Sequence, residues 1–241
     1  MKIDILTLFP EMCEAFLSES IIGRARKENK VEIACHNIRD YTLDKHNRVD
    51  DAPYGGGMGM VMAAQPINDC LEAVIGDAEI RPRVIYLSPK GKTFDQAKAI
   101  ELSKLDRIVL LCGHFEGVDE RVLEKCVDEE ISIGDFVLTG GEIAAVAVAD
   151  AVSRLLPGVL SDDVCFSEES HWNGLLEYPQ YTRPAVWEGR EVPEILLSGH
   201  HANITKWRRE KSIETTLAKR PEMLETAELT EADKKYLNEI K

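Results

Sequence analysis

The sequence has no run approaching the roughly 20 consecutive apolar residues that a membrane span requires, which argues against a helical membrane protein. It has no C-x-x-C pair either. Its six cysteines, Cys13, Cys35, Cys70, Cys112, Cys126 and Cys165, are scattered, and several sit in apolar runs such as Ile108 to Cys112. That pattern favours buried reduced thiols over metal ligands or disulfides, so no metal site is expected. Basic residues are in short supply, 29 Lys and Arg against 43 Asp and Glu, for a formal net charge of -14. Coating nucleic acid indiscriminately needs a broad excess of cations to neutralise phosphates, so that class is disfavoured, while a local basic face is not. Met1 to Phe9 lacks a small-residue cleavage site and carries Lys2 and Asp4 within a short apolar run, which suits a first strand better than a signal peptide. A soluble, cytoplasmic protein is expected.

What is present is enough apolar material, 44% of 241 residues, to bury a substantial core. One medium domain followed by a small one is the expected arrangement. Apolar runs bounded by turn residues mark strands at Lys2 to Leu8, Val31 to Asn37, Arg83 to Leu87, Arg107 to Cys112 and Glu130 to Ile133. Helical patterns lie between them at Cys13 to Leu17, Ile21 to Lys27, Pro66 to Ile75 and Asp95 to Leu102, and after them at Gly141 to Leu156. Strands alternating with helices predict an α/β fold with a mostly parallel sheet. Ligands of such sheets collect beyond the carboxyl ends of the strands, here Ser88 to Gly91, Gly113 to Gly117 and Gly134 to Gly141.

The pattern breaks at Pro157-Gly158, and the acidic, polar stretch that follows reads as a linker. The expected boundaries are a first domain over 1–160, a flexible linker over 161–175 and a small, mainly helical domain over 176–241. In the last of these, Ile204 to Leu217 has helical spacing, Pro221 interrupts it, and Met223 to Ile240 supplies one or two short helices. Between His200 and Arg220 there are six basic residues (Lys206, Arg208, Arg209, Lys211, Lys219, Arg220) and two acidic ones, a local formal charge of +4.

The densest glycine segment, Pro53-Tyr54-Gly55-Gly56-Gly57-Met58-Gly59-Met60, has neither a Gly-Lys-Ser/Thr ending nor a G-x-G-x-x-G spacing, so it is not a phosphate loop. Two readings stay open: an exposed loop, or backbone able to approach a flat ligand closely. Three other glycine turns follow apolar strands: Leu87-Ser88-Pro89-Lys90-Gly91, Gly113-His114-Phe115-Glu116-Gly117, and Gly134 through Gly140-Gly141. Each alone is an ordinary strand-to-helix turn. Three that converge predict a pocket.

Together with Leu6-Thr7-Leu8-Phe9-Pro10, Val49-Asp50-Asp51, Ser132-Ile133-Gly134-Asp135, Ser153-Arg154, Tyr181-Thr182-Arg183-Pro184 and Leu196-Leu197-Ser198-Gly199, these segments closely resemble the bacterial tRNA (guanine-N1)-methyltransferases of the knotted SPOUT class. The resemblance runs nearly the whole chain. It implies a deep trefoil knot in the α/β domain, built by the three convergent loops around a bent S-adenosylmethionine. It also implies an obligate homodimer with shared active sites, tRNA as partner, and participation of magnesium with no protein ligands assigned. By position, Tyr86, Leu87, Ser88, Pro89, Gly113, Phe115, Glu116, Ser132, Ile133, Gly134, Phe136, Leu138, Gly140 and Gly141 would bind the cofactor.

The implied reaction methylates N1 of the guanine just 3′ of the anticodon, nucleotide 37, which helps maintain the reading frame. That nitrogen is a poor nucleophile until its proton is withdrawn, so a general base is needed, with a cation to stabilise the charge developing on O6. The resemblance places the base at position 169 and the cation at Arg154, supplied across the dimer interface. The family commonly has Asp at 169, where this chain has Glu169; the adjacent Glu168 competes for the role. Glu116, Gly59 and His46 are implied contacts of the target guanine or its neighbours, and Lys206, Arg208 and Arg209, beside Trp207, suit the anticodon arm. Two alternatives stay open: a tRNA-binding protein of this class with weak activity, and an enzyme of the class acting on another RNA.

Overall fold

A computed structural model describes residues 1–161, 166 and 169–241. The described residues form two compact units, 1–161 and 162–241. The first unit holds seven strands and six helices in chain order: β1 (Lys2–Thr7), α1 (Pro10–Leu17), α2 (Ser20–Lys27), β2 (Glu32–Asn37), β3 (Asp50–Asp51), β4 (Val61–Met62), α3 (Ala64–Ile75), β5 (Arg83–Thr93), α4 (Gln96–Ser103), β6 (Arg107–Cys112), α5 (Glu120–Cys126), β7 (Glu129–Ser132) and α6 (Glu142–Ser153). Five of the strands form one sheet in the order β2-β1-β6-β5-β7, with every pairing parallel.

The sheet is apolar on both faces, as parallel sheets covered by crossover helices must be. Alternation along each strand divides the side chains between two cores. Ile3 and Ile5 of β1, Ile85 and Leu87 of β5, and Ile108, Leu110 and Cys112 of β6 join α1, α2, α4 and α6 on one face. Leu6, Val84, Tyr86, Val109 and Leu111 join α3 and α5 on the other. The chain runs from β5 to β6 on one side and then returns across β5 to β7, so β5 is the point where strand order reverses. A crevice forms at such a point, outside the carboxyl ends of the strands.

All five expected strands are present, and β5 is longer than its apolar run. It pairs with β7 as far as Leu87↔Ile131, bulges through Ser88 to Gly91, and pairs again at Lys92↔Ile131 and Thr93↔Ser132. The Ser88 hydroxyl accepts the Lys90 N–H at 3.1 Å inside the bulge. The helix α1 starts at Pro10 rather than Cys13, because proline suits the first helical position, where its missing N–H leaves nothing unsatisfied. The helix α5 and the small β3–β4 ladder were not anticipated. Among the described residues five cysteines are free, four of them buried and Cys35 half-buried; Cys165 lies outside those residues.

A charged side chain sits in the middle of this apolar frame. Asp4 of β1 is fully buried, accepting from His36 Nε2 of β2 and from Arg107 Nε of β6, each at 2.8 Å. It thus ties three adjacent strands together across the sheet.

The second unit, taken by itself, contains a hairpin of β8 (Val186–Trp187) and β9 (Arg190–Glu191), then α7 (Glu194–Leu197), α8 (His201–Lys219) and α9 (Glu231–Ile240). Its core gathers Leu175, Ile213 and Leu237. The capping box Thr230–Asp233 starts α9, and Asp233 also accepts Arg209 Nη2 at 2.9 Å, clamping α8 to α9. Residues 169–175, expected to be linker, are built of turns that end with Leu175 in this core. No described helix is long and apolar enough to cross a membrane.

Burial pushes the Asp4 carboxyl up, but hydrogen bonds from His36 and Arg107, with the charges of Arg107 and Lys2, outweigh it and hold the group below its ordinary 3.8. The unfolded chain therefore takes up this proton first as pH falls. The stabilisation is complete above pH about 4 and is lost as pH drops through the lower folded-state value. Asp4→Asn is expected to lower stability at pH 7 by about 3–5 kcal/mol, because Arg107 loses its buried partner. Urea unfolding followed by far-UV circular dichroism tests this, since all three tryptophans lie in the second unit; unchanged stability would contradict the assignment.

Candidate active site

A cavity of about 230 Å³ opens where β5, β6 and β7 end. Its walls are Tyr86, Leu87, Ser88 and Pro89 from β5 and its bulge, Gly113, Phe115 and Glu116 after β6, and Ser132, Ile133 and Gly134 at β7, with Phe136, Leu138, Gly140 and Gly141 from the loop entering α6. These are the fourteen residues that the resemblance assigned to the cofactor. Lys90, His114, Val137 and Thr139 line it as well.

The loops are laced to one another through backbone. Gly141 N–H donates to the Gly113 carbonyl at 2.9 Å, and His114 and Gly140 form an antiparallel bridge. The Ser132 hydroxyl donates to the Gly134 carbonyl at 2.8 Å and accepts the Gly134 N–H at 3.2 Å, closing the β7 turn on itself. Two glycines are required by closeness. A Cβ on Gly141 would stand 2.8 Å from the Cα of Cys112, and one on Gly113 would stand 2.7 Å from the Tyr86 hydroxyl oxygen. Backbone on one side and a buried ring on the other leave no room for a side chain.

Tyr86 is pushed up to about 12, by burial first and by the charges of Glu130 and Glu120 next, so it stays a neutral phenol near pH 7. Apolar surface at the mouth is partly exposed, with Phe115 42% and Phe136 53% accessible. The His114 ring packs edge-on against Phe9 and Phe115, with centroids 5.0 and 4.7 Å away.

The glycine-dense segment reaches the pocket at one end only. The Glu116 N–H donates to the Met60 carbonyl at 2.9 Å, and a Cβ on Gly59 would stand 2.5 Å from Cγ of Glu116. Gly55 and Gly56 meet nothing, and Tyr54 is fully exposed. The exposed-loop reading applies to the Gly55–Gly56 end, while at Gly59 the close approach is to the Glu116 side chain.

The remaining candidates lie elsewhere. His46 sits on an exposed turn where its N–H donates to Asp44 at 2.8 Å, outside the cavity lining. Arg154 caps the carboxyl end of α6. Asp150, one turn earlier, is pushed up by burial and partly relieved by the Arg154 charge. In the second unit, Lys206 is exposed with Glu210 at 3.7 Å, Arg208 lies over the Tyr178 ring at 4.8 Å, and Arg209 is engaged by Asp233. Glu169 stands on a turn of that unit, and Glu168 lies outside the described residues. Among the described residues no group of three or more His, Cys, Asp or Glu could hold a metal ion.

Residues 1–226 match the family model described as tRNA (Guanine-1)-methyltransferase TrmD. The chain belongs to the TrmD family. Curated relatives agree over nearly full length. A tRNA (guanine-N(1)-)-methyltransferase of Ruminiclostridium cellulolyticum is 59% identical over 223 residues, covering 92% of this chain and 96% of the relative. One of Caldanaerobacter subterraneus subsp. tengcongensis is 59% identical over 239 residues, 99% and 98% of the two chains. One of Alkaliphilus oremlandii is 53% identical over 246 residues, 100% and 99%. TrmD membership implies use of S-adenosylmethionine.

Because the Cβ of an alanine at 141 meets backbone rather than a movable side chain, Gly141→Ala is expected to destabilise the first unit by about 1–3 kcal/mol. The midpoint of urea unfolding by far-UV circular dichroism measures it; an unshifted midpoint would show the close approach to be relaxed in solution.

Proposed function

We propose that this chain transfers the methyl group of S-adenosylmethionine to N1 of the guanine just 3′ of the tRNA anticodon, nucleotide 37, an activity that supports reading-frame maintenance. The observation that carries the proposal is the convergence of all fourteen candidate cofactor residues on one cavity at the strand-order reversal, in a chain of the TrmD family. The 1–160 domain would hold the cofactor in a trefoil knot of the laced loops, 161–175 would link, and 176–241 would bind tRNA. The basic helix α8 supports that last role: Lys206 offers an exposed cation, and Arg208 and Trp207 add stacking surface, while Arg209 serves the helix clamp.

Bound in the cavity, S-adenosylmethionine supplies an electrophilic methyl on a sulfonium sulfur. The chain must present a nucleophile to it. In this reading the Glu169 carboxylate takes the N1 proton, and Arg154 of the partner subunit stabilises the charge left on O6. Glu116 accepts from the exocyclic N2 amino group of the guanine, its stem held beside Gly59, and His46 makes a more peripheral contact. A base in the anticodon loop can be extruded for this at modest cost. Magnesium, implied by resemblance, finds no ligand cluster among the described residues.

A homodimer in the cytoplasm completes the reading. Phe9, Met12 and Phe16 on and beside α1 and Ile143 on α6 are between 38% and 52% exposed on two helices that pack together, an apolar surface suited to a second copy. Phe16→Glu is expected to yield monomers without methyl transfer, measured by light scattering after gel filtration together with activity; an active monomer would exclude a shared site.

The central test incubates the protein with bulk tRNA and labelled S-adenosylmethionine, followed by nucleoside analysis. 1-Methylguanosine is expected, and its absence refutes the function. Transcripts with adenine in place of guanine 37 should stay unlabelled. Glu169→Ala is expected to reduce the rate by about 10²–10⁴-fold, the usual range for a general base, and Glu168→Ala to leave it near wild type. The reverse outcome reassigns the base to Glu168.

A further inference from the structure

We propose that the buried carboxylate of Glu142 is the counter-charge for the sulfonium of S-adenosylmethionine, setting a preference for the cationic cofactor over the neutral S-adenosylhomocysteine left after transfer. The inference rests on reading the cavity as the S-adenosylmethionine site. Glu142 is the first residue of α6 and is 3% exposed. The Thr7 hydroxyl donates to its Oε1 at 2.7 Å while accepting the Phe9 N–H at 2.9 Å. Among the described residues no Lys or Arg forms an ion pair with it. Buried charges are ordinarily paired, and the N-terminus of α6 offers only about half a unit of positive charge. Part of the carboxylate's charge is therefore left for a ligand to balance.

The carboxylate stands directly behind the cavity wall. A Cβ on Gly140, a wall residue, would collide with Glu142 Oε2 and would lie 2.7 Å from His114 Nδ1. That ring nitrogen is itself enclosed without a hydrogen-bond partner among the described residues, so no bond from it neutralises Glu142. Only bare backbone separates Oε2 from the ligand space at this point. The field of Glu142 reaches the end of β6 as well: the Cys112 thiol, beside Gly113, is pushed up by burial first and by the Glu142 charge next. Other carboxylates near the cavity are wetter. Glu116 and Glu120 are exposed, and Glu130, on the edge strand β7, is half-buried. Solvent and salt screen such charges far more than an enclosed one. At an effective dielectric of about 20, opposite unit charges as far as about 12 Å apart attract by the equivalent of a tenfold change in affinity.

Isothermal titration calorimetry of the full chain tests this with three ligands: S-adenosylmethionine, S-adenosylhomocysteine, and the amine analogue in which a protonated CH–NH2 group replaces the methylsulfonium. Glu142→Gln keeps the side-chain shape and the acceptor for Thr7 and removes the charge. It is expected to weaken both cationic ligands by about 10-fold relative to the neutral one. Glu142→Met, also neutral, carries the same comparison should far-UV circular dichroism show Glu142→Gln to be unfolded. An unchanged ratio of affinities overturns the proposal. Equal weakening of all three ligands also overturns it, since the residue then serves the shape of the loop or the α-amino group that all three share. A changed ratio in Glu130→Gln but not in Glu142→Gln moves the counter-charge to β7 and overturns the assignment. A wild-type chain that binds none of the three refutes the cofactor reading itself, whereas tight wild-type binding with an unchanged ratio leaves that reading standing.

Discussion

One backbone hydrogen bond organises the business end of this molecule: Gly141 N–H to the Gly113 carbonyl, 2.9 Å. It joins the loop leaving β6 to the loop entering α6 and forces the latter to lie flat on Cys112, which only a residue without Cβ permits at 141. The His114–Gly140 bridge beside it does the same for the next residue pair. With those loops fixed, Tyr86 is enclosed, the β7 turn has a wall to close against, and the cavity has a defined floor. A ligand site made this way is preorganised backbone, so its shape depends little on side-chain rotamers. Glycine at 113 and 141 of this chain follows from that geometry.

The sequence carried the strands and the pocket loops plainly, for one reason. A parallel sheet buried on both faces needs uninterrupted apolar runs, and the turns at their carboxyl ends need glycine; runs such as Ile108 to Cys112 followed by Gly113 show both signals at once. Features that depend on one residue meeting another far away were not legible. Asp4 reads as an isolated polar residue in a first strand, and only the register of β1 against β2 and β6 brings His36 and Arg107 to it. The helix α5 has seven residues directly after a glycine turn, too few for its periodicity to stand out. Two-residue strands such as β8 and β9 leave no pattern at all. The contact of Gly59 with Glu116 is likewise a tertiary fact.

Charge is partitioned in a way that reconciles an acidic protein with an RNA partner. The excess of carboxylates is spread over the whole chain, while the local surplus of cations is concentrated on α8. Part of that surplus is structural. Arg209 spends its guanidinium on Asp233 and the Glu228 carbonyl, and Arg208 lies on Tyr178, so the helix offers fewer mobile cations than its sequence suggests. Such a helix lacks the broad excess of cations that indiscriminate phosphate binding needs.

The Thr7 hydroxyl donates to the buried Glu142 carboxylate at 2.7 Å across 135 positions of sequence, and β1 pairs with β6 more than a hundred residues on. Strand β1 therefore cannot complete either of its cores until more than a hundred further residues have been synthesised. Synthesis proceeds at about 5–20 residues per second, which leaves that apolar strand without its β6 partner for several seconds. During that interval β2, on its other edge, is the only sheet neighbour available to it. The long separation thus makes the newborn chain, rather than the finished enzyme, the form most exposed to aggregation, and gives chaperones a defined stretch of synthesis in which to act.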